Sequence, residues 1–131
     1  MTHFFTPRKA VAAIATATLL SAASAMAADS TAPATAAFEM SSTTNGKIRA
    51  GIKAFKKGDY QRSVTFHKSA LKAKMSDRRA AIAQSNLCAA YGQLGELELA
   101  SEACDTALEL RPGYAPAVAN REALTIKLAQ K

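Results

Sequence analysis

Histidine is nearly missing from this 131-residue chain: His3 and His67 are the only two, and cysteine is equally scarce, with Cys88 and Cys104 alone. Two thiols and one distant imidazole do not make the four-ligand set of a structural metal site. They make no Cys-His or Ser-His-Asp arrangement either, because His67 belongs to an earlier helical hairpin than both cysteines. Strand-like alternation is absent throughout, and with it the strand-borne glycine loop that cradles phosphates. Past the first 27 residues, no apolar run reaches the roughly 20 residues needed to span a bilayer. No cofactor, metal or enzymatic activity is expected.

The N-terminus has the layout of a cleaved secretory signal. A basic start with Arg8 and Lys9 precedes an uncharged apolar run from Ala10 to Leu20, and Ala25-Met26-Ala27 forms a small-residue cleavage site. The expectation is a signal peptide over 1–27 and a periplasmic or secreted bacterial protein with no transmembrane segment after cleavage. No cysteine follows the site, which argues against lipid attachment there. Residues 28–44 are mostly Ala, Ser, Thr and Pro, with Phe38 and Met40 the only bulky apolar residues, and read as a flexible leader. Removing 1–27 leaves enough chain for one domain and lowers the net charge from +7 to +5.

The remaining charge is divided along the chain. Asn45 to Arg79 carries eleven Lys and Arg against Asp59 and Asp77, whereas Ala80 to Leu110 has five acids and no Lys or Arg. Basic surfaces often mark nucleic-acid binding, but an exported protein meets little of it, so no nucleic-acid partner is expected. Lys47, Arg49, Lys53, Lys56, Lys57 and Arg62 form a basic surface suited to anionic lipid or polymer. Head-to-tail contact between copies, basic hairpin to acidic hairpin, is the other electrostatic alternative.

What the chain does contain is a repeat. Gly58 and Gly95 lie 37 residues apart, and an Ala-Leu pair begins 12 residues after each, at Ala70 and Ala107. A period of this size, with glycine between two amphipathic stretches, marks stacked helical hairpins. Five helices are expected. The first runs from near Asn45 to Lys57, the second from Asp59 to about Lys74, and the third from Ser76 or Asp77 to Leu94. The fourth spans about Leu97 to Leu110, where Arg111-Pro112-Gly113 stops it; the fifth spans 116–130, with Pro116 where a missing N–H costs nothing. On the first helix, Ala50, Gly51 and Ala54 form a small-residue stripe beside a bulkier stripe of Ile48, Ile52 and Phe55.

These residues resemble the tetratricopeptide-repeat family, whose 34-residue unit carries W-x2-L-G-x2-Y, A-x3-F and P. In the second copy Leu87, Tyr91, Ala100, Ala107 and Pro112 match, with Cys88 for the small residue and Cys104 for the aromatic. In the first copy Gly51, Ala70 and Leu71 match, Ser63 replaces Ala and His67 replaces the aromatic. The first copy lacks the terminal proline, and its link to the second is three residues longer than the family norm. The resemblance implies an all-α, right-handed α-solenoid domain over 45–131. Its antiparallel helix-turn-helix units would span about 45–76 and 79–112, followed by a capping helix at about 116–130.

The resemblance also implies a concave groove built from the first helix of each pair. Ile48, Ile52, Phe55 and Lys56 would line it from the first unit, Ser85, Asn86, Ala89 and Gln93 from the second, and Asn120, Ala123 and Lys127 from the last helix. Asn86 matches an asparagine that family members aim at a peptide backbone or carboxylate. The family's carboxylate clamp is not matched, since its places fall on Ile48, Ile52, Pro116 and Asn120. The expected function is a protein-protein interaction adaptor of the cell envelope. Its groove would receive either a partner's peptide or the chain's own leader, which would place Phe38 and Met40 there. Cys88 and Cys104 lie seven and nine residues either side of Gly95, nearly opposite in a hairpin. They suit either a disulfide in an oxidising compartment or two buried apolar thiols.

Overall fold

The computed structural model describes residues 35–131; the expected signal peptide over 1–27 and the first part of the leader lie outside the described residues. The described chain is all-α. Its five helices are α1 (Gly46–Lys56), α2 (Tyr60–Leu71), α3 (Asp77–Leu94), α4 (Leu97–Leu110) and α5 (Ala115–Ala129), and there is no strand among the described residues.

Local chemistry sets the helix ends. The Asn45 side-chain oxygen accepts from the backbone N–H groups of Lys47 and Ile48 at 3.0 and 3.1 Å, which caps α1. Asp59 does the same for α2 by accepting from the Arg62 N–H at 3.0 Å. The two repeated glycines close their helices identically. Gly58 and Gly95 each have φ +79°, a left-handed conformation that glycine adopts without a Cβ penalty. The following residue then reaches back five positions: Asp59 N–H donates to Ala54 C=O and Glu96 N–H to Tyr91 C=O, both at 3.0 Å. These tight turns fold α1 on α2 and α3 on α4.

Helix α2 ends at Leu71, three residues short of its expected limit at Lys74. Residues 72–76 instead form an irregular link in which half-buried Met75 packs against the second of two apolar clusters. Consistent with this longer connection, the α2 and α4 backbones stay more than 8 Å apart, although both flank α3.

The first cluster joins Leu87, Cys88 and Tyr91 of α3 to Leu97, Ala100 and Cys104 of α4, with Val64 and Leu124 at its margins. The second gathers Ile48, Ala70, Ile82, Ala107, Tyr114 and Ala117. Alanine at 70, 83, 90, 100, 107 and 117 is wholly buried, and these small side chains let the helices approach closely. A disulfide joins Cys88 to Cys104, whose Cα atoms are 5.2 Å apart, tying α3 to α4 through the first cluster.

The closest approach of α1 and α2 is at Gly51. A Cβ there would stand 2.6–2.9 Å from three atoms of the His67 ring, so the imidazole occupies the space that a side chain would fill. His67 is fully buried and neither ring nitrogen has a hydrogen-bond partner. Burial pushes its pKa down from 6.5 to about 4, so the ring is neutral at pH 7.

Candidate functional site

A single extended segment organises the site. Residues 35–44 have no helical structure, and from Thr35 to Met40 exposed and half-buried residues alternate strictly. Ala36, Phe38 and Met40 point inward, as expected of a strand-like chain whose side chains alternate between faces. Phe38 and Met40 pack against the first apolar cluster. The leader was expected to be flexible; between Phe38 and Ser41 it is held in place.

Two asparagines hold it. Asn120 of α5 accepts from the Glu39 N–H at 2.6 Å and donates to the Glu39 C=O at 2.9 Å. Asn86 of α3 treats Ser41 in the same way, accepting from its N–H at 2.7 Å and donating to its C=O at 3.0 Å. Each side-chain amide therefore pairs both backbone groups of one residue, as a neighbouring strand would. The two clamped residues are two apart because alternate residues of an extended chain present their N–H and C=O to the same edge. Neither pairing reads a side chain.

Both asparagines are completely buried. Their amide groups are satisfied there, as buried polar groups must be. Asn120 also donates to the carbonyl and hydroxyl of Ser85, at 3.0 and 3.1 Å, which fixes its rotamer against α3.

The aromatic slot lies one residue further up the leader. A Cβ on Gly92 would collide with the tip of the Phe38 ring, and its three nearest heavy atoms all belong to that ring. Lys127 closes the slot from α5. Its ammonium stands 5.8 Å from the Phe38 ring centroid, within range of a cation–π attraction, and donates to the Gly92 C=O at 2.6 Å. Position 38 thus accommodates a flat apolar ring beneath a cation.

The expected groove residues divide into three sets. Asn86, Asn120 and Lys127 meet the leader directly, and Ser85 supports one of them. Ala89 and Ala123 are buried on the same two helices, and Gln93 is half-buried. The expectation for α1 needs correction. Ile48 is wholly buried in the second cluster, so it cannot line a surface, and Ile52 packs beside it half-buried. Phe55 packs on the first cluster and meets Tyr60 edge-on, with ring centroids 5.1 Å apart. Of the bulky stripe on α1 only Ile48 is sealed in the core; Ile52 and Phe55 are half-buried and Lys56 is exposed.

The basic surface is distributed over α1 and α2. Lys47 donates to the Ser69 C=O at 3.4 Å and the Arg62 guanidinium stands 5.7 Å from the Phe66 ring centroid. Arg49, Lys53, Lys56 and Lys57, with Ile52 and Ser42, line a cleft of about 390 Å³ at the C-terminal end of the docked segment. Among the described residues, the only ion pair is Arg121 with Asp105, at 2.6 Å, so none of these four cations is paired.

Gly92 was not anticipated. Its signal in the sequence is a second glycine three residues before Gly95, still within the last turn of α3, a costly helical placement that often marks a close approach. Among the described residues, no three His, Cys, Asp or Glu side chains are grouped to hold a metal ion, and no helix is long and apolar enough to cross a membrane. Comparison with known protein families, with characterised proteins and with solved structures finds no match to this chain.

Proposed function

We propose that this domain is a non-catalytic adaptor of the tetratricopeptide-repeat type, which holds an extended peptide segment across α3 and α5 within a bacterial cell envelope. The observation that carries this reading is the pair of buried asparagines, each bonded to both backbone groups of alternate residues in an extended segment. Asn86 and Asn120 are 34 residues apart, which is the period of the family unit. A repeat that returns the same side chain after one period builds a ladder of equivalent clamps along an extended chain. Backbone pairing supplies affinity and the Gly92–Lys127 slot supplies selectivity, the division of labour found in strand-type peptide recognition. The envelope location is supported by the composition of residues 1–27.

In this reading the leader is the groove's intramolecular occupant. The test uses the chain carrying Phe38→Ala and Met40→Ala, with folding checked by circular dichroism. A fluorescent peptide repeating residues 35–42 should bind it measurably and bind the unsubstituted chain more weakly, by the factor with which the docked leader competes. Asn86→Ala or Asn120→Ala in the same background should reduce affinity about thirtyfold, two hydrogen bonds contributing about 1 kcal/mol each net of exchange with water. A folded chain with an undocked leader that ignores the peptide would overturn the proposal.

A further inference from the structure

The leader satisfies only part of the track on which it lies. It fills the aromatic slot and both asparagine clamps, then turns away after Ser42 through neutral Thr43 and Thr44 to the Asn45 cap of α1. The cleft at that turn is lined by four cations without counter-charges among the described residues.

The register of the repeat shows what those cations face. Gly58 precedes Gly95 by 37 residues, and the same offset from Asn86 arrives at Arg49. The series along the track is therefore Asn120 on α5, Asn86 on α3 and Arg49 on α1. The first two pair with leader residues 39 and 41. A separate peptide in the same register, with no need to enter α1, would bring its next alternate residue to Arg49, beside Lys53 and Lys56.

We infer that the partner is an acidic extended segment that displaces the leader, setting a large apolar side chain in the Gly92–Lys127 slot and carboxylates against Arg49, Lys53 and Lys56. The inference rests on the peptide-binding reading above and adds the chemistry of the ligand and its direction. The acidic end follows the aromatic, because the leader passes Asn120 before Asn86 and the cationic cleft lies beyond. A guanidinium suits a carboxylate because its planar fork can bond both oxygens. Continuity with the backbone clamps selects a peptide over a lipid headgroup or a free polyanion, which would have no use for Asn86.

The test again uses the Phe38→Ala, Met40→Ala chain. Two probes are compared: a peptide repeating residues 35–41 followed by three aspartates, and the same peptide ending in three asparagines. The aspartate peptide should bind about tenfold more tightly at low salt, as expected for two or three exposed charge pairs, with the advantage shrinking as salt rises. Combined Arg49→Ala, Lys53→Ala and Lys56→Ala should abolish that advantage while leaving the asparagine peptide's affinity unchanged, and Asn86→Ala should weaken both. Equal binding of the two peptides overturns the acidic specificity but leaves the peptide groove standing. Failure of both to bind overturns the groove itself. Capture by phosphatidylglycerol vesicles that Asn86→Ala does not affect, without a difference between the peptides, assigns the cations to a lipid surface and overturns the inference.

Discussion

Replacing Gly92 with alanine should undock the leader while leaving the helical domain intact. The added methyl would meet the Phe38 ring first, since its three nearest heavy atoms all belong to that ring. Within α3 itself the substitution is favourable: alanine is preferred to glycine in a helix interior by about 1 kcal/mol. Against this stands whatever the docked leader contributes. Its four amide hydrogen bonds contribute about 1 kcal/mol each, and the half-buried ring about 1.5 kcal/mol. Ordering residues 38–41 costs about 1.5 kcal/mol per residue. The two sides nearly cancel, so the leader is weakly held and its loss is cheap. Urea denaturation of Gly92→Ala should give a stability within about 1 kcal/mol of the unsubstituted chain, on the stabilising side. Amide hydrogen exchange at Glu39 and Ser41 should meanwhile accelerate to the rate of an unprotected chain. Retained protection at those two amides would refute the reasoning, because the ring would then be anchored elsewhere than over Gly92.

Other outcomes follow from the core. His67 is protonated more readily in the unfolded chain, where its pKa is 6.5, than in the folded one, where it is about 4. Stability should therefore fall as pH drops from 6.5 to 4, by about 3 kcal/mol from this group, and level off below. His67→Leu should flatten that part of the profile, and a profile of unchanged steepness would show that other groups govern it. Reducing Cys88–Cys104, which closes a loop with a sequence separation of 16, should cost about 3 kcal/mol of stability by loop entropy. Denaturation with and without reductant measures this, and no difference would mean that the pair contributes only as apolar filler.

Much of the fold was legible in the residues. Gly58 and Gly95 marked the two hairpin turns because only a residue without Cβ takes φ +79° at no cost. Asn45, Asp59 and Pro116 marked helix starts through equally local chemistry. The α2 terminus was misjudged, since no glycine or proline stops it and the pull of Met75 toward the second cluster is a tertiary effect.

Sequence alone thus determined the number of helices, their turns, the separation of basic from acidic hairpin, and the near-opposition of the two cysteines, all consequences of period and short-range stereochemistry. Tertiary structure decided that Ile48 on α1 is sealed, because the cluster that buries it gathers residues as distant in sequence as Tyr114 and Ala117. It also decided where the leader lies. The Glu39–Asn120 and Ser41–Asn86 pairs join residues 81 and 45 positions apart, and no local pattern encodes such contacts. They form because packing α3 beside α5 sets two buried amides at the spacing of alternate residues in an extended chain.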